Sequence, residues 1–353
     1  MNARENYLRA VRFEKPDYIP LSIWINPSCF EVYGHEQIFD LMESHPLLYP
    51  DFKRPQKYIP EFAPNARKDE PFTDDFGCLL KTSINGITGT AVDHPLADWN
   101  KFAEWKKRIP DPEYRMGIGP ADWNNKKIEI DDKKKRGELI FTGLRHGHTF
   151  LQLCDLRGYQ NLLYDFTDKE KNIFELIDIL ENFNRATAEH YLKIGTDVFG
   201  FPDDLGMQNG PMISPADFRN FIKPVYKRLM KPFREKGVPV HMHSDGDIRS
   251  LIDDLIEDGV EIINLQDLVN GIDFIKQRLT GKICVELDID RQNITVFGTP
   301  KEIDDHIRTA VSTLGSREGG LMLVYGCYPG TPVKNAKAVM DAMEKYSHFY
   351  LTA

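Results

Sequence analysis

Basic residues are in the minority in this chain. Lys and Arg number 45 against 54 Asp and Glu, for a formal net charge of −9 over 353 residues. A nucleic-acid binder presents a basic stripe, and none is present. The one basic run, Lys133-Lys134-Lys135-Arg136, follows Asp131-Asp132 and reads as a solvated segment. Cysteine is also scarce. Cys29, Cys78, Cys154, Cys284 and Cys327 are odd in number, widely spaced and without a CxxC pair. That excludes a disulfide framework and points to a reducing compartment. The opening Met1-Asn2-Ala3-Arg4-Glu5-Asn6 is charged and lacks the apolar stretch of a secretory leader. No run is long and apolar enough for a membrane span. The expected location is the cytoplasm, with neither nucleic acid nor membrane as partner.

What the chain has is alternation. Hydrophobic residues make up 41% and charged residues 28%, enough for a large core beneath a soluble surface. Short apolar runs of strand length occur at 19–25, 139–144, 197–201, 238–243, 261–265, 283–287 and 321–325. Helical patterns separate them. Thr167-Asp168-Lys169-Glu170 has the form of a capping box and predicts a helix with Ile173, Ile177, Leu180, Phe183 and Tyr191 on one face, closed by Gly195. Ser214-Pro215 and Thr299-Pro300 each place a hydroxyl cap before proline at the first helical position. A shorter helix carries Leu251, Ile252, Leu255 and Ile256 and stops at Gly259.

Strands separated by crossover helices imply a parallel sheet. Seven strand candidates leave one strand of a closed barrel unassigned and keep an open doubly wound sheet as an alternative. No glycine-rich phosphate loop follows any of the runs, which weakens that alternative. The expected fold class is therefore α/β, a (β/α)8 TIM barrel, read as one domain over residues 1–353; such barrels routinely exceed about 250 residues. Residues 26–136 are rich in Pro, Asp and aromatics and poor in helical period. They are expected to form an inserted lid, with a small hairpin near Phe76–Lys81 and Gly86–Val92.

In barrels of this kind chemistry gathers at the C-terminal ends of the strands. Here run after run ends in residues able to ligate a metal or move a proton. They are Arg145-His146-Gly147-His148, Asp203-Asp204, His241-Met242-His243-Ser244-Asp245, Gln266-Asp267, Glu286-Leu287-Asp288 and Cys327. His243 and Asp245 lie two apart and share a side of an extended strand, so both are candidate metal ligands; the plain alternative is that Asp245 caps the following helix. His241 is read as a core histidine. Cys327 is either a thiolate ligand or a small buried apolar residue. Asp203 and Asp204 bind substrate or a proton, or form a turn. Glu286 and Asp288 form a carboxylate pair, or a salt bridge to Arg291.

Several segments resemble a known family. Arg9-Ala10-Val11-Arg12-Phe13-Glu14-Lys15-Pro16-Asp17, Ser214-Pro215-Ala216-Asp217-Phe218, His243-Ser244-Asp245-Gly246 and Phe297-Gly298-Thr299-Pro300 are similar to motifs of the uroporphyrinogen decarboxylase superfamily. That superfamily combines a (β/α)8 barrel with two chemistries, porphyrinogen decarboxylation and corrinoid-linked methyl transfer. The decarboxylases hold a polycarboxylate through arginines just after the first strand, and no arginine lies between Arg12 and Arg54 here. The methyltransferases carry zinc on His-x-Cys and a later Cys, a layout that resembles cobalamin-independent methionine synthase. His243 matches the histidine, Asp245 stands at the Cys position, Pro329-Gly330-Thr331-Pro332 matches the later motif with Cys327 just before it, and Asp267 offers a further carboxylate.

A carboxylate in place of thiolate makes zinc a stronger Lewis acid, which suits an ether oxygen as leaving group. His45-Pro46-Leu47, Asp93-His94-Pro95 and Leu144–Thr149 resemble O-demethylase methyltransferases. The resemblance implies transfer of a methyl group from a methoxylated aromatic to Co(I) of a partner corrinoid protein. His148, His243, Asp203 and Glu286 are the expected catalytic residues. Arg145, His146, Asp204, Trp24 and Tyr33 are expected to bind the substrate. The expected metal set is His243, Asp245, Asp267 and Cys327, with zinc as the metal. The alternative function is decarboxylation of a smaller acid with Asp203 as acid catalyst. The oligomeric state is open, a homodimer included.

Overall fold

A computed structural model describes residues 1–351. Seven strands run parallel to neighbours within their own units: β1 (Leu21–Ile25), β2 (Phe141–Gly143), β3 (Val198–Pro202), β4 (Val240–His243), β5 (Ile262–Gln266), β6 (Cys284–Asp288) and β7 (Leu321–Cys327). All seven fall on the runs anticipated from the sequence. The chain divides into two compact units, one of Met1–Phe62 with the residues from Ile262 onward, the other of Ala63–Glu261. The stretch 26–136, expected as one insertion, is thus shared between them.

In the first unit β1 pairs with β7, β7 with β6 and β6 with β5. Its helices begin where the sequence says. Thr299 caps Pro300–Leu314 in a complete capping box with Glu302, and Pro300 takes the first helical position. One face of that helix buries Ile303, Ile307, Ala310 and Val311, and the helix Val333–Ser347 packs on it.

In the second unit β3 lies between β2 and β4. An antiparallel sheet of Phe72–Thr73, Leu79–Lys81 and Thr90–Asp93 contains the expected hairpin and adds a third strand. One expectation fails. Thr167 sits inside a helix, Tyr159–Asp168, where its hydroxyl donates to Leu163 O at 2.9 Å. Lys169 then turns left-handed, and Glu170 caps Lys171–Ile194. A hydroxyl held by its own preceding turn cannot cap the next helix. Among the described residues no helix is long and apolar enough to cross a membrane.

The core of the second unit is aromatic. Phe233, from the helix Lys223–Glu235, stacks on Phe199 of β3 with ring centroids 4.0 Å apart and meets Phe201 edge-on at 6.0 Å. All three are buried to within 1% exposure, so each contributes burial free energy plus ring-to-ring attraction. Phe233→Ala leaves a cavity between helix and strand that close packing cannot collapse. The expected loss is about 3–5 kcal/mol of stability, read by denaturant unfolding.

Candidate active site at the ends of three neighbouring strands

Three adjacent strands of the second unit end in polar loops, and the loops are sewn together by backbone. Leu144 N–H donates to Gly200 O at 3.0 Å and Gly147 N–H to Pro202 O at 2.9 Å, tying the loop after β2 to β3. Asp203 N–H donates to His243 O at 3.0 Å, and Asp247 N–H to Met207 O at 2.7 Å, tying β3 to β4. The Ser244 hydroxyl accepts Leu205 N–H at 2.8 Å. Gly206 and Gly246 touch backbone to backbone. A Cβ on Gly246, which has φ +81°, would lie 2.2 Å from the Gly206 carbonyl carbon. Only two glycines allow this crossing, and it sets the positions of Asp204 and His243.

Those positions bring together His146 from β2, Asp204 from β3 and His243 from β4. Asp204 serves both rings: His146 Nε2 lies 3.3 Å from one carboxylate oxygen, and His243 Nε2 lies 3.5 Å from the other. One ligand atom from each residue falls within 4.8 Å of the others. Donors about 2.1 Å from a tetrahedral cation stand roughly 3.4 Å apart, so two imidazoles and a carboxylate at these spacings fit a divalent ion. Side-chain exposures of 51% for His146, 23% for Asp204 and 22% for His243 leave the group open on one side, as a catalytic site with a free coordination position requires. Burial would raise the Asp204 carboxyl, but the His146 hydrogen bond and both imidazoles hold it down to about 2. Burial lowers His146, and the hydrogen bond and charge of Asp204 more than offset it, so its net shift is upward.

Asp245, the expected partner of His243, is not in this cluster among the described residues. Its backbone N–H donates to the Asp204 carboxylate at 2.9 Å, so it steadies the ligand next to it. It does not cap a helix either: the next helix, Ile252–Asp258, starts later and has no side-chain cap.

Asp203 and His148 are placed differently from what their expected catalytic roles require. The Asp203 carboxylate is fully buried. It accepts the N–H groups of Thr149, Phe150 and Leu151 at 3.2, 2.7 and 3.1 Å and the Tyr226 hydroxyl at 2.8 Å. It therefore caps the helix Phe150–Arg157 from across the sheet. Burial raises its carboxyl, and those four hydrogen bonds oppose the rise. His148 is buried against Phe201 and Tyr226. Its Nδ1 meets the Thr149 hydroxyl at 2.6 Å, and its Nε2 has no partner among the described residues. Burial, then the charges of Arg145 and His146, push it down to about 3, so it is a neutral imidazole and not a store of protons at neutral pH.

Arg145 directly precedes His146 of the cluster in the chain. Its Nη1 donates to His146 O at 3.3 Å, and its guanidinium lies 6.0 Å from the Phe76 ring centre. Asp74 and Asp155 feel its charge; burial raises both, Asp155 to about 6. Neither acid was singled out from the sequence. For Asp155 the available signal was its spacing from Gln152, two polar residues three apart on a helix whose only other polar residue is Arg157.

The remaining candidates belong to the first unit. Asp267 is buried with one carboxylate oxygen 2.6 Å from His306 Nε2 and the other accepting Leu268 N–H at 2.5 Å. Cys327 is buried against Cys29, whose thiol donates to Cys327 O at 3.5 Å; the contact with Cys29 and burial keep the Cys327 thiol protonated. Glu286 lies half-buried on β6, and Asp288 takes the bridge to Arg291 at 2.8 Å. Trp24 is 47% exposed and meets Tyr328 edge-on. The Tyr33 hydroxyl accepts Gly330 N–H at 2.7 Å.

Comparison with known proteins shows the family and the fold class of the chain. The family model "Uroporphyrinogen decarboxylase (URO-D)" matches residues 119–346. The uroporphyrinogen decarboxylase of Prochlorococcus marinus strain SARG is 28% identical over 176 residues, 47% of this chain and 47% of that protein. That of strain NATL2A is 30% identical over 172 residues, with the same 47% of each covered. The chain thus spans about half the length of the curated relatives it matches. Among solved structures, a methyltransferase from Methanosarcina mazei is similar with a TM-score of 0.65 and 17% identity, covering 98% of this chain and 99% of that one. That likeness places the chain in the TIM-barrel-like α/β class anticipated from its strand and helix alternation.

The Asp155 carboxyl supplies a pH test. Its folded value of about 6 lies above the ordinary 3.8, so the folded state disfavours its ionisation. The contribution of Asp155 to stability is most favourable below about pH 4 and falls as pH rises through 6. Asp155→Asn removes the ionisable group. The variant is expected to gain up to about 3 kcal/mol over the parent at pH 8 and nothing at pH 3.5. Denaturant unfolding at the two pH values checks this.

Proposed function

This chain belongs to the uroporphyrinogen decarboxylase family, and from that premise we propose that it transfers a methyl group from a methoxylated aromatic to the Co(I) of a partner corrinoid protein. The observation that carries the reading is the cluster of His146, Asp204 and His243 at the open ends of three neighbouring strands. The fold is one on which a methyltransferase is built.

His146, Asp204 and His243 would hold a divalent cation, zinc being the one proposed. Such an ion supplies Lewis acidity to an oxygen atom bound beside it. In the reaction the methyl carbon–oxygen bond breaks, the methyl passes to cobalt, and the electron pair stays on the phenolic oxygen. A phenoxide, with a pKa near 10, leaves poorly unless its charge is met. The chain's own contribution is positional. Asp204 orients both imidazoles, the Asp245 backbone N–H orients Asp204, and Asp203 fixes the loop that carries His146 and His148. His148, buried against Phe201 and Tyr226 and neutral, is given no proton to donate. Asp267, Cys327, Glu286, Trp24 and Tyr33 have their own settings in the first unit, and the proposal does not depend on them.

Decarboxylation of a smaller acid is the second reading, favoured by the names of the curated relatives. Against it, Asp203 already accepts four hydrogen bonds, which leaves little of its carboxylate for a substrate.

The test is methyl transfer with reduced corrinoid protein and a panel of methoxyarenes, beside zinc binding by equilibrium dialysis. His243→Ala is expected to lower the rate at least about a hundredfold and to weaken zinc binding, with the melting temperature held within a few degrees. Full activity in the variant rejects the reading. So does release of CO2 from an acid substrate without methyl transfer.

A further inference from the structure

Asp203 ties both histidine loops of the cluster together. Its backbone N–H donates to His243 O at 3.0 Å. Its carboxylate accepts the N–H groups of Thr149, Phe150 and Leu151, just after the loop that carries His146. Those three amides belong to the segment being held, and they move with it. The fourth donor comes from elsewhere. The Tyr226 hydroxyl lies 2.8 Å from Oδ2, the same oxygen that accepts Thr149 and Phe150.

Tyr226 stands on the helix Lys223–Glu235, seven residues before Phe233, so the two share a face. Phe233 anchors that face by stacking on Phe199 of β3 at 4.0 Å. The Tyr226 ring is fully buried, edge-on to Phe218 at 6.0 Å and 5.6 Å from the His148 ring. A π-helical turn, Phe218–Ile222, runs directly into the helix. Such a turn shifts the helical register and occurs often at functional positions. A phenylalanine ring would fill the same apolar space, so what the tyrosine adds is its hydroxyl. A buried hydroxyl is costly unless bonded, and this one is spent on Asp203.

We infer that Tyr226 is a positioning residue of the His146–Asp204–His243 cluster. Its hydroxyl fixes the Asp203 carboxylate to a separate helix, and through Asp203 the loop of His146 keeps its distance from Asp204 and His243. Ligand atoms within 4.8 Å of one another need such support, because a looseness of about 1 Å spoils a metal site. The inference rests on the cluster as a cation site, not on methyl transfer.

The experiment is a double-mutant cycle read by cation affinity. Zinc is followed by equilibrium dialysis and cobalt(II) by its visible absorption, on the parent, Tyr226→Phe, Asp203→Asn and the double variant. Tyr226→Phe is expected to weaken binding of both cations roughly fivefold or more and to change the cobalt(II) spectrum, with the melting temperature lowered by only a few degrees. Because the hydroxyl acts through Asp203, the double variant is expected to bind no more weakly than Asp203→Asn alone. Leu229→Ala, at a buried position of the same helix, is the control. It is expected to lower the melting temperature more than Tyr226→Phe does, with cation affinity equal to the parent's. Unchanged cation affinity in Tyr226→Phe overturns the inference. So do losses that add in the double variant, or an equal loss of affinity in Leu229→Ala. Should Asp203→Asn not fold, the comparison of Tyr226→Phe with Leu229→Ala decides. A parent that binds neither cation overturns the inference together with the metal reading of the cluster. Binding that weakens as expected, without any methyl transfer, keeps the role of Tyr226 and rejects the methyl-transfer reading.

Discussion

Two consecutive carboxylates point opposite ways at the end of β3, and the arrangement of the site depends on them. Asp203 turns inward. It gathers three amide groups at the start of the helix Phe150–Arg157 and the Tyr226 hydroxyl, so one buried charge answers the partial positive charge of a helix N-terminus and needs no other counter-ion. Asp204 turns outward and answers two imidazoles. Alternation along an extended chain makes this division automatic. What the protein adds is the close crossing of Gly206 over Gly246, which locks the loops after β3 and β4 to each other and leaves Asp204 no other place to stand.

Charge is distributed unevenly around that point. The chain is acidic as a whole, and near the cluster burial raises Asp74 and Asp155. Each carboxyl also feels the charge of Arg145, which opposes that rise. The unpartnered buried atoms of this region, Arg145 Nη2, His148 Nε2 and Gln152 Oε1, belong to residues within eight positions of one another. Buried polar atoms are nearly always paired in a finished core. Their concentration in one segment marks a place where the fold has kept hydrogen-bonding capacity in reserve.

The first unit treats its strand-end polar residues differently. Asp267 is closed off by His306, Asp288 by Arg291, and Cys327 by Cys29. These are mutual pairings, and each removes a side chain from easy service as a ligand. These strand-end residues are paired locally in the first unit, whereas in the second they divide between a buried helix cap, Asp203, and an open cluster.

Local chemistry wrote much of this in the sequence. The seven strands were legible because each is a short apolar run between helix signals, and the helices after Ser214 and Thr299 because hydroxyl caps and first-turn prolines act over three or four residues. That His146, Asp204 and His243 sit at strand ends followed from the same pattern. Which of them meet did not. The sequence suggested His243 with Asp245, since two residues apart on a strand share a side, but a ligand set is decided by distances across strands. Those distances depend on which strands are neighbours and on how closely Gly206 and Gly246 let the loops approach. The capping box at Thr167 misled for the opposite reason: the local signal was real, but the preceding helix ran through it and took the hydroxyl. The roles of Asp203 and His148 were also beyond the sequence. Whether a carboxylate or an imidazole reaches solvent, caps a helix or loses its charge depends on burial, and burial exists only once the chain has folded.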